Sequence, residues 1–239
     1  MSILSDLQTK KLGLFELLAI GFDLYLKHFR SFSSLLCVIL PFSIIFQILS
    51  SNSPSIFLNP IVFISYSLLL IFYFFIVIPV YIIVFVILAE GYILGENPQI
   101  NVVTRGILPR IIPLNCLGIK FNIILILRFL LFIVPGVIYL VNNAYYSYAF
   151  ILRDQRGKAA FQYSRSLVKG NWWKVFFFYV LLYIIIFGLR VLMKKILSSL
   201  ILNSPILVAI LSDTLASLVS VGVGISGVLL FLNLEFQKE

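Results

Sequence analysis

Residues that carry chemistry are scarce in this chain of 239. It has one histidine, two cysteines, two methionines and two tryptophans, and its aspartates and glutamates together number nine. A single histidine cannot build a His-rich metal centre. No HExxH, GxSxG or Walker-type phosphate loop occurs, and the DxxD aspartates of prenyl and phospholipid headgroup transferases are missing too. Enzyme chemistry, a metal site and a bound cofactor are therefore not expected. Cys37 and Cys116 lie within or beside apolar segments without CxxC spacing, so they read as two buried small hydrophobes.

What the chain does have is hydrophobic mass. Apolar residues make up 62% and charged residues 11%, with a mean hydropathy of +1.12. From Pro60 to Ala89 there is no charge at all, and about 20 helical residues suffice to cross a bilayer core of roughly 30 Å. Such a surface cannot be hidden from water. The expected class is an all-α integral membrane protein, a single polytopic domain over 1–239, with little length left for a soluble domain. The polar start MSILSDLQTKK does not resemble a cleaved signal peptide, and the first span is expected to act as its own insertion signal.

Residues 12–30 carry Glu16, Asp23, Lys27 and Arg30 on one helical stripe, which reads as an amphipathic helix in the membrane interface. Spans are expected at about 33–48 and 60–89, joined by the uncharged stretch SSNSPSIFLN as a translocated loop. The apolar stretch 115–152 is too long for one crossing and short for two. Pro135-Gly136 near its middle predicts a tight hairpin of spans 117–134 and 137–152. A second amphipathic helix follows at 157–170, with Lys158, Gln162, Arg165 and Lys169 on one stripe. Trp172-Trp173 then marks interfacial entry into a span of 172–190, and the last span is 206–232. The expectation is six transmembrane helices as three hairpins.

The net charge of +9 would suggest nucleic acid in a soluble protein. Here the basic residues flank apolar spans, so they speak for topology and anionic lipid headgroups, not nucleic acid. Segments read as inner carry Lys10, Lys11, Lys27, Arg30, Arg105, Arg110, Lys120, Arg153, Arg156, Lys158, Arg165, Lys169, Lys174 and Lys238, 14 in all. Outer segments carry three, Arg190, Lys194 and Lys195. Both termini are thus expected in the cytoplasm, in a bacterial plasma membrane or another internal membrane.

With these segments placed, the chain resembles the family known as the glycerophosphoryl diester phosphodiesterase membrane domain, and its uncharacterised stand-alone relatives. The resemblance rests on Pro135-Gly136, the span ending in Asp154, then Gly157 and a helix reading A-F-x-x-S-x-x-L-x-x-G at Ala160, Phe161, Ser164, Leu167 and Gly170, followed by Trp172-Trp173. FELLAIGFDLYLKHF and YILGENPQI also resemble the family's pattern. In some relatives a separate soluble domain carries the catalysis. The resemblance therefore implies a membrane architecture and no catalytic residues in this chain.

Two groups of candidate site residues remain. Charges within spans are costly and tend to be paired or functional. Arg128, Asn142, Asn143 and Asp213 fall at similar depths, and Arg128 and Asp213 are the expected ion pair of a polar cluster. Lys27, Arg30, Arg165, Lys169, Trp172 and Trp173 are the candidate headgroup contacts, and His28 beside them reads as solvated or headgroup-facing. The small residues Ala216, Ser217, Ser220, Gly222, Gly224 and Gly227 allow close helix packing, within the monomer by default, otherwise against a partner helix or a second copy. The expected function is a non-catalytic structural, lipid-organising or complex-associated subunit; the alternative is a small transporter or permease component using the Arg128–Asp213 cluster.

Overall fold

In the computed structural model residues 3–51, 59–104, 106–200 and 204–238 are described. Most of the connector read as a translocated loop, and Arg105, fall outside them. The described residues form helices and connecting turns. These are α1 (Ile3–Thr9), α2 (Leu14–Lys27), α3 (Phe29–Ser51), α4 (Pro60–Ile93), α5 (Ile100–Thr104), α6 (Leu108–Leu131), α7 (Ile133–Asn142), α8 (Tyr146–Arg153), α9 (Lys158–Val168), α10 (Trp172–Leu200) and α11 (Pro205–Phe236). Five of them, α3, α4, α6, α10 and α11, are long and apolar enough to cross a membrane. The chain is an integral membrane protein.

The central element is α11. From Val221 to Leu234 nearly every residue is buried, because α2, α3, α4 and α10 pack around it. Small residues permit the approach. A Cβ on Gly222 would strike the Phe22 ring at 2.7 Å, and one on Gly224 would strike Phe85 at 2.8 Å. At Gly222 and Gly224 the small-residue stripe thus serves packing within the chain. The first stripe-bearing helix, α2, is pressed against α11 through Gly21, with Leu17, Leu18, Leu24 and Tyr25 also buried. Its start is held by a capping interaction in which Gly13 N–H donates to Glu16 Oε2 at 2.8 Å.

Inside α4 the residues Tyr73–Val77 form one turn of π-helix just before Pro79. Proline has no N–H to give to the carbonyl four residues back, and its ring crowds that carbonyl. The freed acceptor is Phe75 O, and Asn115 of α6 satisfies it, donating from Nδ2 at 2.8 Å. A polar side chain in an apolar helix is thereby explained by a proline in its neighbour.

The middle of the chain departs from the expected hairpin. The break between α6 and α7 lies at Phe132, whose backbone is extended (φ −163°, ψ 153°), and Pro135-Gly136 sits inside the first turn of α7. Proline fits a helix's first turn, where no N–H is needed. Gly136 serves packing, since a Cβ there would lie 2.6 Å from the Phe129 ring. The returning segment 137–152 is also divided. It comprises most of α7 and most of α8, which have 10 and 8 residues, each well short of the roughly 20 needed to cross. Ser164 of α9 bridges the break: its hydroxyl donates to Asn142 O at 3.0 Å and accepts from Tyr145 N–H at 3.1 Å.

Two smaller readings are corrected. Cys37 and Cys116 are exposed, not buried, because they lie on outward faces of α3 and α6, where a bilayer can cover them. The helix after Trp172 runs on to Leu200, ten residues beyond the expected end, so Arg190, Lys194 and Lys195 are carried on its face.

Candidate functional site

The expected cluster of Arg128, Asn142, Asn143 and Asp213 does not assemble. Asp213 of α11 is held by Arg190 of α10, Nε to Oδ1 at 2.9 Å, and by Gln47 of α3, Nε2 to Oδ2 at 2.5 Å. Arg190, the last residue of the expected span 172–190, meets Asp213 in place of Arg128. Beside this group lies a small cavity of about 280 Å³ that Ser43, Gln47, Tyr66, Tyr73 and Asp213 help to line. Tyr73 is the first residue of the π turn.

Arg128 instead lies over the ring of Tyr139, 4.7 Å from its centroid. Asn143 is fully buried, donating from Nδ2 to Tyr139 O at 2.7 Å and accepting at Oδ1 from Arg165 Nε at 3.1 Å. Asn142 contributes through its backbone carbonyl, which accepts from the Ser164 hydroxyl. So the first candidate group is split, and Asn143 of it joins Arg165 of the second.

Arg165 also borders a cleft of about 220 Å³ between α6 and α9, lined by Lys120, Lys158, Gln162 and Arg165 over Ile124, Tyr139 and Phe161. α9 buries Ala160, Phe161, Ser164, Leu167 and Val168 and exposes Lys158, Gln162 and Arg165, with exposed Lys169 directly after it. No carboxylate lines the cleft, and none of Lys120, Arg128, Lys158 and Arg165 forms an ion pair among the described residues. Lys27, Arg30 and Lys169 are exposed as well. Trp173 is 65% exposed, while Trp172 stacks on Phe176 at 5.3 Å.

A charged centre not anticipated from the sequence joins α4, α8, α9 and α11. Arg153 forks onto Glu235, Nε to Oε1 at 2.7 Å and Nη2 to Oε2 at 2.5 Å, and its Nη1 reaches Glu90 Oε1 at 2.7 Å. The Tyr163 hydroxyl donates to Glu235 Oε1. The hydrogen bonds that Arg153 donates to Glu235 hold it above its ordinary pKa, and burial, then the same carboxylate, raises the Tyr163 phenol. Nearby, fully buried Asn233 donates to Leu7 O at 3.1 Å and Lys10 O at 3.0 Å and accepts from Lys174 Nζ at 3.2 Å. It caps the end of α1 and ties the N-terminal segment to α11. A sequence signal for the Arg153 centre existed: Glu90, Arg153 and Glu235 each stand directly after an apolar run, at ends the charge asymmetry places on one side.

His28, between α2 and α3, stacks on Tyr92 at 3.9 Å and 19°, beside a cavity of about 620 Å³ that Asp23, Lys27 and Glu96 also line. Burial, then the Lys27 charge, lowers its pKa below the ordinary value of about 6.5. A depressed histidine favours the folded state above the unfolded pKa, and that contribution is lost as pH falls through the folded one. Melting in detergent should therefore show a decrement as pH falls from about 6.5 that His28→Gln removes; an identical pH profile in the variant would contradict this.

Among the described residues no group of three or more His, Cys, Asp or Glu side chains is placed to hold a metal ion. No family model, curated protein or solved structure matches the chain.

Proposed function

We propose that this chain is a non-catalytic membrane protein that organises anionic lipid at the cytoplasmic face. One observation carries the reading: around α9 the carboxylates are spent and the cations are not. Glu90 and Glu235 are both taken by Arg153, and Asp154 by Arg156. Lys158, Arg165 and Lys169, with Lys27 and Arg30 of the α2–α3 segment, have no carboxylate partner among the described residues. Unneutralised basic side chains beside apolar spans suit an anionic leaflet, where each is worth about 1 kcal/mol.

The chain's path supports termini on a common side. Arg110 at the start of α6 donates to Ile151 O near the end of α8 at 3.3 Å, so the α6–α8 excursion returns to the end it left. Asn233 holds Leu7 and Lys10 at that same end. The excess of basic residues on these segments makes it the cytoplasmic one. On this reading the chain is a relative of the glycerophosphoryl diester phosphodiesterase membrane domain.

Replacing Lys27, Arg30, Arg165 and Lys169 together with Gln should lower the phosphatidylglycerol that co-purifies in mild detergent. Unchanged lipid content would remove the reading. A second reading, a small transporter, is favoured by the Gln47–Asp213–Arg190 group, its cavity and the adjoining π turn, since such turns and intramembrane charges gather at functional sites. A double-mutant cycle of Arg190→Leu and Asp213→Leu should give a coupling of about 1 kcal/mol if the pair is structural. Loss of proton flux in proteoliposomes holding a stable double variant would favour transport instead.

A further inference from the structure

We propose that the cleft between α6 and α9 is a binding site for the phosphate of an anionic lipid headgroup; this rests on the lipid-organising reading and names its site. Three cations, Lys120, Lys158 and Arg165, share about 220 Å³ with no carboxylate among the lining residues. Like charges so confined repel, and an anion is what relieves them. Arg165 is also oriented. Its Nε donates to Oδ1 of Asn143 at 3.1 Å, and Asn143 is itself fully buried and fixed by its bond to Tyr139 O. The two terminal nitrogens of the guanidinium make no hydrogen bond among the described residues, and a fixed fork of this kind matches two oxygens of a phosphate.

The surroundings favour a lipid over a free phosphate. The floor of the cleft is the apolar Phe161 and Tyr139, and the face of α6 beside it exposes Ile119, Ile123, Ile126 and Leu127. A headgroup in the cleft would lay its acyl chains along that face. Arg128, over the ring of Tyr139, adds positive potential near the site.

Native mass spectrometry of the full chain in mild detergent, with added phosphatidylglycerol or phosphatidylcholine, tests the assignment. The wild type should retain phosphatidylglycerol preferentially. The triple change Lys120→Gln, Lys158→Gln, Arg165→Gln should weaken it about a hundredfold, roughly a factor of five for each cation removed. Arg165→Lys, which keeps the charge and removes the fork, should sit between. Equal retention by a triple variant with unchanged melting would overturn the site. If Lys27→Gln with Arg30→Gln abolishes retention while the triple does not, the cleft falls and the broader reading stands. If neither set matters, both fall. Inorganic phosphate at millimolar concentration is expected not to displace the lipid; displacement would overturn the lipid assignment in favour of a soluble phosphorylated ligand.

Discussion

Arg153→Leu should destabilise the protein by about 3–5 kcal/mol, the usual cost of stripping a buried ion pair of one partner. The arginine is the cation shared by two carboxylates, Glu90 and Glu235, whose side chains are 16% and 13% exposed. Without it, two like charges face each other in a poorly solvated site where α4, α8 and α11 meet. Arg153→Lys should recover part of the loss, since an ammonium supplies charge but cannot fork onto Glu235 while reaching Glu90. Glu90→Gln combined with Arg153→Leu should be milder than Arg153→Leu alone, because it removes one of the stranded charges. Melting in detergent, or the yield of monodisperse protein, reads all three. A leucine variant as stable as the wild type would mean that water reaches these carboxylates freely.

Gly21→Leu is expected to be comparably severe, at about 3 kcal/mol, the upper part of the range for overpacking. A Cβ at Gly21 would lie 2.1 Å from Ser226 Oγ, 2.9 Å from Gly222 O and 3.0 Å from Ser226 N. Ser226→Gly removes the first clash only. The other two atoms belong to the α11 backbone, so the paired change should restore little, and α2 would have to part from α11. Limited proteolysis at the α2–α3 junction, near His28, should then become faster. A fully restored Gly21→Leu, Ser226→Gly protein would show that α2 is free to slide.

Several features were legible in the sequence because they depend only on solvent preference and local pattern. The uncharged run at 60–89 had no aqueous conformation open to it, and it is continuous helix within α4. The stripe of Lys158, Gln162, Arg165 and Lys169 predicted the exposed face of α9, since a 3.6-residue period fixes which side chains share a face. The small residues of the last span likewise mark where neighbours approach α11, at Gly222 and Gly224.

Other features turned on which segments meet, which a linear pattern does not encode. Pro135-Gly136 has the composition of a turn, yet in space Pro135 occupies a first helical turn and Gly136 makes room for Phe129, with the break three residues earlier. Arg128 and Asp213 matched in estimated depth, but depth leaves the angular position around the bundle undefined. The packing of α10 on α11 put Arg190 against Asp213 and left Arg128 to Tyr139. Asn115 gained a purpose only through the proline of another helix. Composition and periodicity, then, determined that this is a helical membrane protein and which faces of its helices are basic or small. Tertiary packing decided the charge partners and the cationic cleft, because a hydrogen bond or ion pair needs two groups within about 3 Å, and here the partners lie tens to hundreds of residues apart.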